Sequence, residues 1–300
     1  MLNDHLTFSE EFRTENKDRA RLLIQCPDQP GIVAAVSGFL QENGANIIDS
    51  NQYSQNPEGG QFFIRMEFEC PGLMEKREKI ETSFSEISTK FHMHHEFRYV
   101  SSLKKTAIFV SKETHCLMEL LWEWKNGDLI MDIECVISNY DDSRDLVESF
   151  GIPFYHIPAN KDIRKDAEEQ QLKILKQHGI ELIILARYMQ ILTPDFVSNY
   201  PEQIINIHHS FLPAFIGARP YERAYARGVK LIGATSHYVT DDLDEGPIIE
   251  QGVERVDHRD NVAEMKKIGR KIERSVLSRA VKWHLQDRVI ITGNKTVIFS

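Results

Sequence analysis

The side chains with the clearest chemical potential lie in the short segment Asn206-Ile207-His208 of the 300-residue chain. Side chains alternate along a strand, so Asn206 and His208 are expected on one face and Ile207 on the other. An amide donor beside an imidazole can bind a carbonyl oxygen that becomes an oxyanion, and the imidazole can carry a proton near neutral pH. The alternative interpretation is a strand end whose polar residues only satisfy loop backbone.

A second segment with possible catalytic side chains follows, in which acidic residues cluster in a connection between strands. Four of the five positions from 241 to 245 are acidic, namely Asp241, Asp242, Asp244 and Glu245. Like charges repel, so a carboxylate buried beside His208 would indicate a function: it could hold the imidazole in one tautomer or orient a water. Asp244, just before a Gly-Pro turn, is the best candidate, and His237 is predicted to be structural. The alternative is a solvated loop.

The elements that position these groups form the second of two predicted units. Its predicted strands are 106–110, 130–137, 154–157, 182–186, 203–207, 230–240 and 247–256, and its predicted helices are 114–125, 142–150, 163–178 and 261–285, before a β-hairpin at 289–299. Alternating strands and helices predict an α/β fold, with a mostly parallel sheet covered by helices on both faces. This unit is assigned to 106–300, after a linker at 101–105.

The first predicted unit covers 19–100 and follows a loose polar tail at 1–18. Strands at 20–25, 47–53, 61–69 and 91–99, helices at 32–40 and 73–89, and a turn at 56–60 make a βαββαβ pattern. Ferredoxin-like topology is the natural packing for that pattern. His92, His94 and Glu96 would share a face of the last strand; a solvated face is preferred there over a metal site.

Composition excludes several classes of protein. The chain is 41% hydrophobic and 27% charged, which is ordinary for a globular protein, and its net charge is −9. A negative overall field argues against nucleic-acid binding. The sequence shows no apolar run long enough to span a membrane and no signal peptide at its start. Four scattered cysteines without a Cys-x-x-Cys pair favour a reducing compartment, so a cytoplasmic location is expected.

These motifs resemble the formyltransferase family that uses 10-formyltetrahydrofolate. The pattern Asn-x-His followed by His-x-Val-Thr-x-x-Leu-Asp-x-Gly-Pro carries the resemblance, and segments 186–192, 206–215 and 233–251 resemble its hydrolytic branch. Residues 28–33, Asp-Gln-Pro-Gly-Ile-Val, resemble the entry of an ACT domain, which that branch carries ahead of its catalytic domain. The resemblance therefore implies a ferredoxin-like ACT domain followed by a Rossmann-like catalytic domain.

The resemblance also implies a site and a reaction: hydrolysis of 10-formyltetrahydrofolate to formate and tetrahydrofolate. It assigns catalysis to Asn206, His208 and Asp244. It assigns substrate binding to two stretches, Met189, Gln190, Ile191 and Leu192 together with Thr240, Asp241, Asp242 and Leu243. No cofactor and no metal are expected, because folate is the substrate and no zinc-type spacing occurs. The family likewise suggests an amino-acid effector at the ACT-like unit and a homo-oligomer.

Two alternatives stay open at this point. One is a formyltransferase acting on an amine; its ribonucleotide-using members hold a phosphate with a glycine-rich loop after the first strand, whereas 111–115 here contains no glycine. The transfer-RNA-modifying members would need a basic surface and a further domain, which an acidic chain disfavours. The other alternative is an amino-acid-sensing protein whose folate domain no longer reacts, which the complete Asn206, His208 and Asp244 set disfavours.

Overall fold

The computed structural model describes residues 2–56, 59–214 and 219–300, with side chains from Phe8 onward. Parts of the predicted turn at 56–60 and of the motif at 206–215 lie outside these residues. The chain forms two compact units. Asn3–Leu103, Gln286–Ile290 and Val297–Ser300 make the first, whereas Lys104–Leu285 and Ile291–Thr296 make the second. The division falls in the predicted linker, but assigning all of 106–300 to the second unit was wrong, because the end of the chain is shared.

The first unit is a four-stranded antiparallel sheet with two helices on one face. In chain order its elements are α1 (Leu2–Glu15), β1 (Arg19–Pro27), α2 (Ile32–Glu42), β2 (Asn46–Ser54), β3 (Gln61–Glu69), α3 (Leu73–Phe91) and β4 (His94–Tyr99). The strand order is β2-β3-β1-β4. Alternate residues of β1 are buried, and they join α2 and α3 in one apolar cluster. The predicted ferredoxin-like fold is confirmed.

Two local predictions in the first unit were wrong. The predicted loose tail contains helix α1, because residues 1–18 have no glycine or proline and Asn16 closes the helix by donating from its side chain to the Phe12 carbonyl at 2.8 Å. His92 is not on the last strand either. It ends α3 in a left-handed conformation with φ 53°, and β4 begins two residues later. His92 therefore does not share a strand face with His94 and Glu96.

The far face of this sheet carries a buried arginine. The side chain of Arg65 in β3 is 1% exposed and contacts Asp49 at 2.9 Å and Glu67 at 2.8 Å. Its guanidinium also donates to the Gln286 carbonyl, 3.1 Å from Nη2. Neighbouring Arg21 contacts Asp287 at 2.9 Å. The chain's last segment therefore supplies partners to two arginines of the first unit.

The second unit is a seven-stranded sheet flanked by helices. Its elements are β5 (Lys105–Val110), α4 (His115–Lys125), β6 (Asp132–Ser138), α5 (Arg144–Ser149), β7 (Phe154–His156), α6 (Arg164–His178), β8 (Leu182–Ala186), α7 (Pro194–Val197), β9 (Ile204–His208), α8 (Pro220–Arg227), β10 (Leu231–Tyr238), β11 (Ile248–Arg255) and α9 (Val262–Leu285). The order is β11-β10-β9-β8-β5-β6-β7. The strands from β9 to β7 are parallel, and β10 and β11 add antiparallel pairs. The predicted mostly parallel sheet is confirmed.

Burial explains why β5 and β8 lie in the middle of this sheet. Every residue of β8 is buried, and so is every residue of β5 after Lys105. On one face, Ala107 and Phe109 of β5 join an apolar cluster with Ala167 and Leu175 of α6. Strands covered on both faces need this continuous apolar character.

The last residues form the predicted hairpin, β12 (Val289–Thr292) and β13 (Lys295–Ile298). Gly293 occupies its turn with φ 59°, a conformation that glycine adopts without strain. All four cysteines are free and buried. Among the described residues, no helix has the length and apolar character needed to cross a membrane.

Candidate active site

Strand β9 brings the predicted pair to the centre of the second unit. Ile207 is 3% exposed and alternates along the strand with Asn206 and His208, which therefore share one face. Asn206 lies opposite Leu185 of β8 in parallel register and opposite His237 of β10 in antiparallel register. This register places a third polar side chain, His237, beside the predicted pair.

The acidic loop folds back onto this face of the sheet. Its base is closed by a hydrogen bond from the Tyr238 amide to the Pro247 carbonyl at 2.9 Å. Space is so limited there that a Cβ on Gly246 would lie 1.9 Å from the Tyr238 carbonyl oxygen. Asp244 adopts a left-handed conformation with φ 59°, which aspartate tolerates better than most residues. The tight base and this turn direct the Asp244 carboxylate inward.

Asp244 contacts two imidazoles through one oxygen. Its Oδ1 lies 3.2 Å from Nδ1 of His208 and 3.7 Å from Nε2 of His237. The His208 and Asp244 side chains are only 8% and 11% exposed. Burial alone would raise the pKa of the Asp244 carboxyl, but the hydrogen bond and the charge of His208 outweigh it and hold that pKa well below its usual range. Asp244 is therefore a carboxylate at neutral pH.

His237 orients the amide of Asn206. Nδ1 of His237 lies 2.9 Å from the Tyr238 carbonyl, which can only accept, so this nitrogen carries a proton. In the neutral ring the other nitrogen, Nε2, is then an acceptor, and Nδ2 of Asn206 donates to it at 3.2 Å. An amide nitrogen has two N–H groups, so one remains for a ligand. The prediction that His237 is structural missed this contact with a site residue.

Asn206, His208 and Asp244, called the trio below, keep polar atoms that have no hydrogen-bond partner among the described residues. Nε2 of His208 is buried and has no hydrogen-bond partner among the described residues. Both close contacts of Asp244 use Oδ1, so Oδ2 is left for a water. Together with the second N–H of Asn206, these atoms give the site a donor, an imidazole nitrogen and an acceptor. That set is suited to water attack on a carbonyl carbon.

These groups line a cavity of about 420 Å³, a volume typical of small-molecule sites. All eleven predicted site residues lie on it: Asn206, His208 and Asp244, then Met189, Gln190, Ile191 and Leu192, then Thr240, Asp241, Asp242 and Leu243. Met189, Ile191 and Leu243 are each at least half exposed. Apolar side chains open to a cavity can pack against a flat aromatic ring.

Several lining residues were not predicted from the sequence. These are Leu185, Tyr188, Ile207, His209, Arg219, His237 and Val239. Strand pairing explains part of the difference, because only the β9–β10 register sets His237 opposite Asn206. His209 directly follows a predicted site residue, and its ring stacks on His208 with centroids 5.3 Å apart. Arg219 lies far along the chain, and no local pattern marks it.

The apolar wall at 189–192 is held at both ends. At its start, the Met189 amide donates to Oγ of Ser111 at 2.9 Å, and that hydroxyl donates to Asn139 at 2.7 Å. At its end, the Thr193 amide donates to Glu168 at 2.9 Å, and the Thr193 hydroxyl caps α7. The wall has no regular secondary structure, so these side-chain bonds fix its backbone.

One group of potential metal ligands gathers among the described residues. Donor atoms of His115, Cys116 and Glu273 lie within 4.8 Å of one another. Burial raises the pKa of the Cys116 thiol well above its usual value, so the sulfur stays protonated. Glu273 already contacts Nε2 of His115 at 2.8 Å and accepts from the Tyr221 hydroxyl at 2.7 Å. The group is thus an ion-pair network.

Comparison with known proteins agrees with both units. A formyl transferase family model matches residues 104–281, and an ACT domain model matches residues 20–80. The formyltetrahydrofolate deformylase of Bacillus subtilis (strain 168) is 63% identical over 291 residues, which cover 97% of each chain. A formyltetrahydrofolate deformylase from Pseudomonas syringae pv. tomato str. DC3000 has a similar crystal structure, with TM-score 0.91, 43% identity and 99% of both chains covered.

A transferase matches a smaller share of the chain. The crystal structure of glycinamide ribonucleotide transformylase 1 from Symbiobacterium toebii has a TM-score of 0.62 and 27% identity, covering 66% of this chain and 95% of that one. The deformylases match both units in the same order, whereas this transformylase leaves a third of the chain unmatched. The resemblance noted in the sequence is confirmed, and the chain belongs to the formyltetrahydrofolate deformylase family.

Proposed function

We propose that this protein hydrolyses 10-formyltetrahydrofolate to formate and tetrahydrofolate. The observation that carries the proposal is the convergence of Asn206, His208 and Asp244 on a cavity with an apolar wall. Such a reaction balances one-carbon pools and supplies formate for purine biosynthesis. A cytoplasmic setting, where folates and reduced thiols occur together, fits the four free cysteines.

Binding comes first. The pterin ring packs between the wall at 189–192 and the loop at 240–244, and backbone groups of these segments meet its polar edge. Met189, Ile191 and Leu243 supply the exposed apolar surface for this contact. The formyl group then lies beside β9, where the second N–H of Asn206 faces its carbonyl oxygen.

The chemistry is addition followed by cleavage. A water held at Oδ2 of Asp244 attacks the formyl carbon, and the carbonyl oxygen becomes an oxyanion. Asn206 donates to that oxygen, and so does Nε2 of His208 when it carries a proton. Because Asp244 stays ionised, it stabilises the positive charge on His208. The bond from carbon to N10 then breaks, N10 takes up the proton released by the attacking water, and formate leaves.

The decisive experiment measures formate release from purified 10-formyltetrahydrofolate, with and without a panel of amines. Release at the same rate in both conditions supports hydrolysis, whereas strict dependence on an amine rejects it in favour of formyl transfer. Removing one oxyanion donor typically lowers turnover by about 10²–10³, so Asn206→Ala is expected to lose most activity. Circular dichroism would verify that this variant folds.

We also propose that no metal or organic cofactor takes part. The three groups supply the oxyanion donors, the bound water and the charge that hydrolysis requires, so no step is left for a cofactor. Activity should be unchanged after exhaustive dialysis against a chelator. Loss of activity that added metal restores would contradict this.

The first unit is proposed to bind an amino acid and to promote self-association. By family resemblance, the ligand would contact the turn at 28–31 or the segment 43–46. These lie at the two ends of α2, an 11-residue helix and so about 16 Å long. A site that uses both segments therefore needs two subunits. Calorimetry over a panel of amino acids, with light scattering for mass, tests this; no binding and a monomeric mass would refute it.

A further inference from the structure

A second cavity adjoins the first in the same unit. Its volume is about 240 Å³, and it shares His209 and Arg219 with the first cavity. The His209 ring stands between them, with its centroid 5.3 Å from that of His208 and 6.3 Å from that of Tyr221. Burial and the charge of Arg187 lower the pKa of His209 to about 4, so this ring is neutral at physiological pH. The His209 ring lines both cavities, so a neutral side chain lies between the trio and the second cavity.

Arginine side chains dominate the chemistry of the second cavity. Arg187 is largely buried, yet its Nε and Nη1 atoms have no hydrogen-bond partner among the described residues. Arg219 and Arg270 also line the cavity, and the side chain of neither forms a hydrogen bond or ion pair with another described residue. Nδ1 of His115 is buried and has no hydrogen-bond partner among the described residues, and it lies 3.8 Å from Oε2 of Glu113. Guanidinium donors left unused around a cavity are the groups that bind an oxyanion.

Two of the three acidic residues of this cavity are paired with cations. Glu273 accepts from the Tyr221 hydroxyl through Oε1, and its Oε2 contacts His115 at 2.8 Å and Arg187 at 3.3 Å. Glu222 pairs with Lys266 at 2.8 Å. Glu113 is half exposed and lies 3.8 Å from His115. Setting the two pairs aside leaves Arg219 and Arg270 against Glu113, so the cavity keeps one net positive charge.

We propose that the second cavity binds a small oxyanion, and that formate leaving the first cavity is that ligand. The inference rests on the proposed function, because formate must be made next door. Formate would be released beside the Asp244 carboxylate, which repels it, while two uncommitted guanidinium groups lie across the His209 ring. A carboxylate accepts paired hydrogen bonds from a guanidinium, which gives such a site both charge and shape.

The test is binding of ¹³C-formate to the resting full-length protein, followed by NMR line broadening at constant ionic strength. Arg270→Met removes one uncommitted guanidinium from the cavity. Arg274→Met is the matched control: it lies one turn further along α9, outside the cavity, in a solvent-exposed pair with Glu119. Losing a charged hydrogen bond should weaken formate binding about tenfold or more in Arg270→Met. Binding to Arg274→Met should stay within about twofold of wild type.

Further measurements keep the test decisive. Arg270→Lys retains the charge and should bind formate more tightly than Arg270→Met, which guards against a folding defect in one variant. Unsaturable broadening that chloride reproduces, or equal effects of Arg270→Met and Arg274→Met, would overturn the proposal. Inorganic phosphate that binds tenfold more tightly than formate would overturn the assignment of formate.

This measurement is independent of turnover. The protein binds formate in the absence of folate, so the result does not depend on the hydrolysis assay. Arg270-dependent formate binding without any formate release would overturn the proposed function and the product role, and would retain the oxyanion site. Normal formate release without Arg270-dependent binding would overturn the site and retain the function.

Discussion

Replacing Asp244 by asparagine tests the proposed mechanism most directly. Asparagine has nearly the same shape and tolerates the left-handed backbone conformation with φ 59° at this position, so the loop should keep its path. The change removes the charge that both His208 and His237 contact at Oδ1. It also replaces the acceptor that would hold the attacking water. The variant therefore separates the chemistry of the carboxylate from the structure of its loop.

The expected loss follows from two contributions. A hydrogen bond to a charged group is worth about 1.5–3 kcal/mol, so losing it from the protonated His208 costs roughly 10- to 150-fold in kcat. Losing a positioned acceptor for the attacking water costs about another 10²-fold. We expect kcat to fall by about 10³–10⁴, while KM changes less than about threefold because the apolar wall is untouched.

The assay is formate release at saturating 10-formyltetrahydrofolate, with Glu245→Gln as matched control. Glu245 is the next residue in the same acidic loop, is exposed and does not line the cavity, so its variant should keep wild-type kcat. Tryptophan fluorescence verifies folding, because Trp122, Trp124 and Trp283 all lie in the second unit. Near-wild-type kcat in a folded Asp244→Asn protein would refute the role of the carboxylate.

Three further predictions concern stability. The pKa of His209 is lowered to about 4 in the folded protein. As pH falls below about 6.5, this side chain therefore takes up a proton in the unfolded chain before it does so in the folded one, and stability is lost from there down to pH 4. Between pH 7 and pH 5, the free energy of unfolding measured in urea should therefore fall by roughly 1–2 kcal/mol less in His209→Gln than in wild type. His258 is exposed, so the control variant His258→Gln should behave as wild type. Gly246→Ala must displace the Tyr238 carbonyl, and a lower melting temperature corresponding to about 1–3 kcal/mol is expected; an unchanged one would contradict the close packing at the loop base. Arg65→Met leaves the partly buried Glu67 carboxylate and the more exposed Asp49 carboxylate short of a partner and should cost roughly 2–4 kcal/mol, seen as faster amide exchange in β1 and β3; unchanged exchange would argue against an ion-pair role for the buried guanidinium.

The sequence predicted the site because the relevant patterns are local. Alternation along β9 placed Asn206 and His208 on one face, and a Gly-Pro turn marked the loop of Asp244. The contact between His237 and Asn206 was not predicted because it depends on the antiparallel pairing of β9 with β10. Pairing between strands separated by about two dozen residues has no signature in either strand alone.

Errors in the fold prediction have similar physical causes. Polarity suggested that residues 1–18 were a loose tail, but polar helix formers without glycine or proline can form a helix such as α1 when the rest of the unit holds it. The hairpin at the end of the chain was predicted correctly as an element, and its residues are divided between the units, with Ile291–Thr296 in the second and the residues on either side in the first. An element's type follows from local residues, whereas its neighbours follow from long-range packing.

The return of residues 286–290 to the first unit has a consequence for biosynthesis. Arg65 and Arg21 find their partners at Gln286 and Asp287, close to the end of the chain. The ribosome makes Arg65 221 residues before its partner and Arg21 266 residues before its partner, so the first unit completes its structure only after most of the second unit has been synthesised. For the same reason, a fragment that stops at Leu103 would lose the Gln286 carbonyl as a partner of Arg65 and the Asp287 carboxylate as a partner of Arg21, and would keep their contacts with Asp49 and Glu67. An isolated version of this unit should include the final segment, joined by a short linker in place of the second unit.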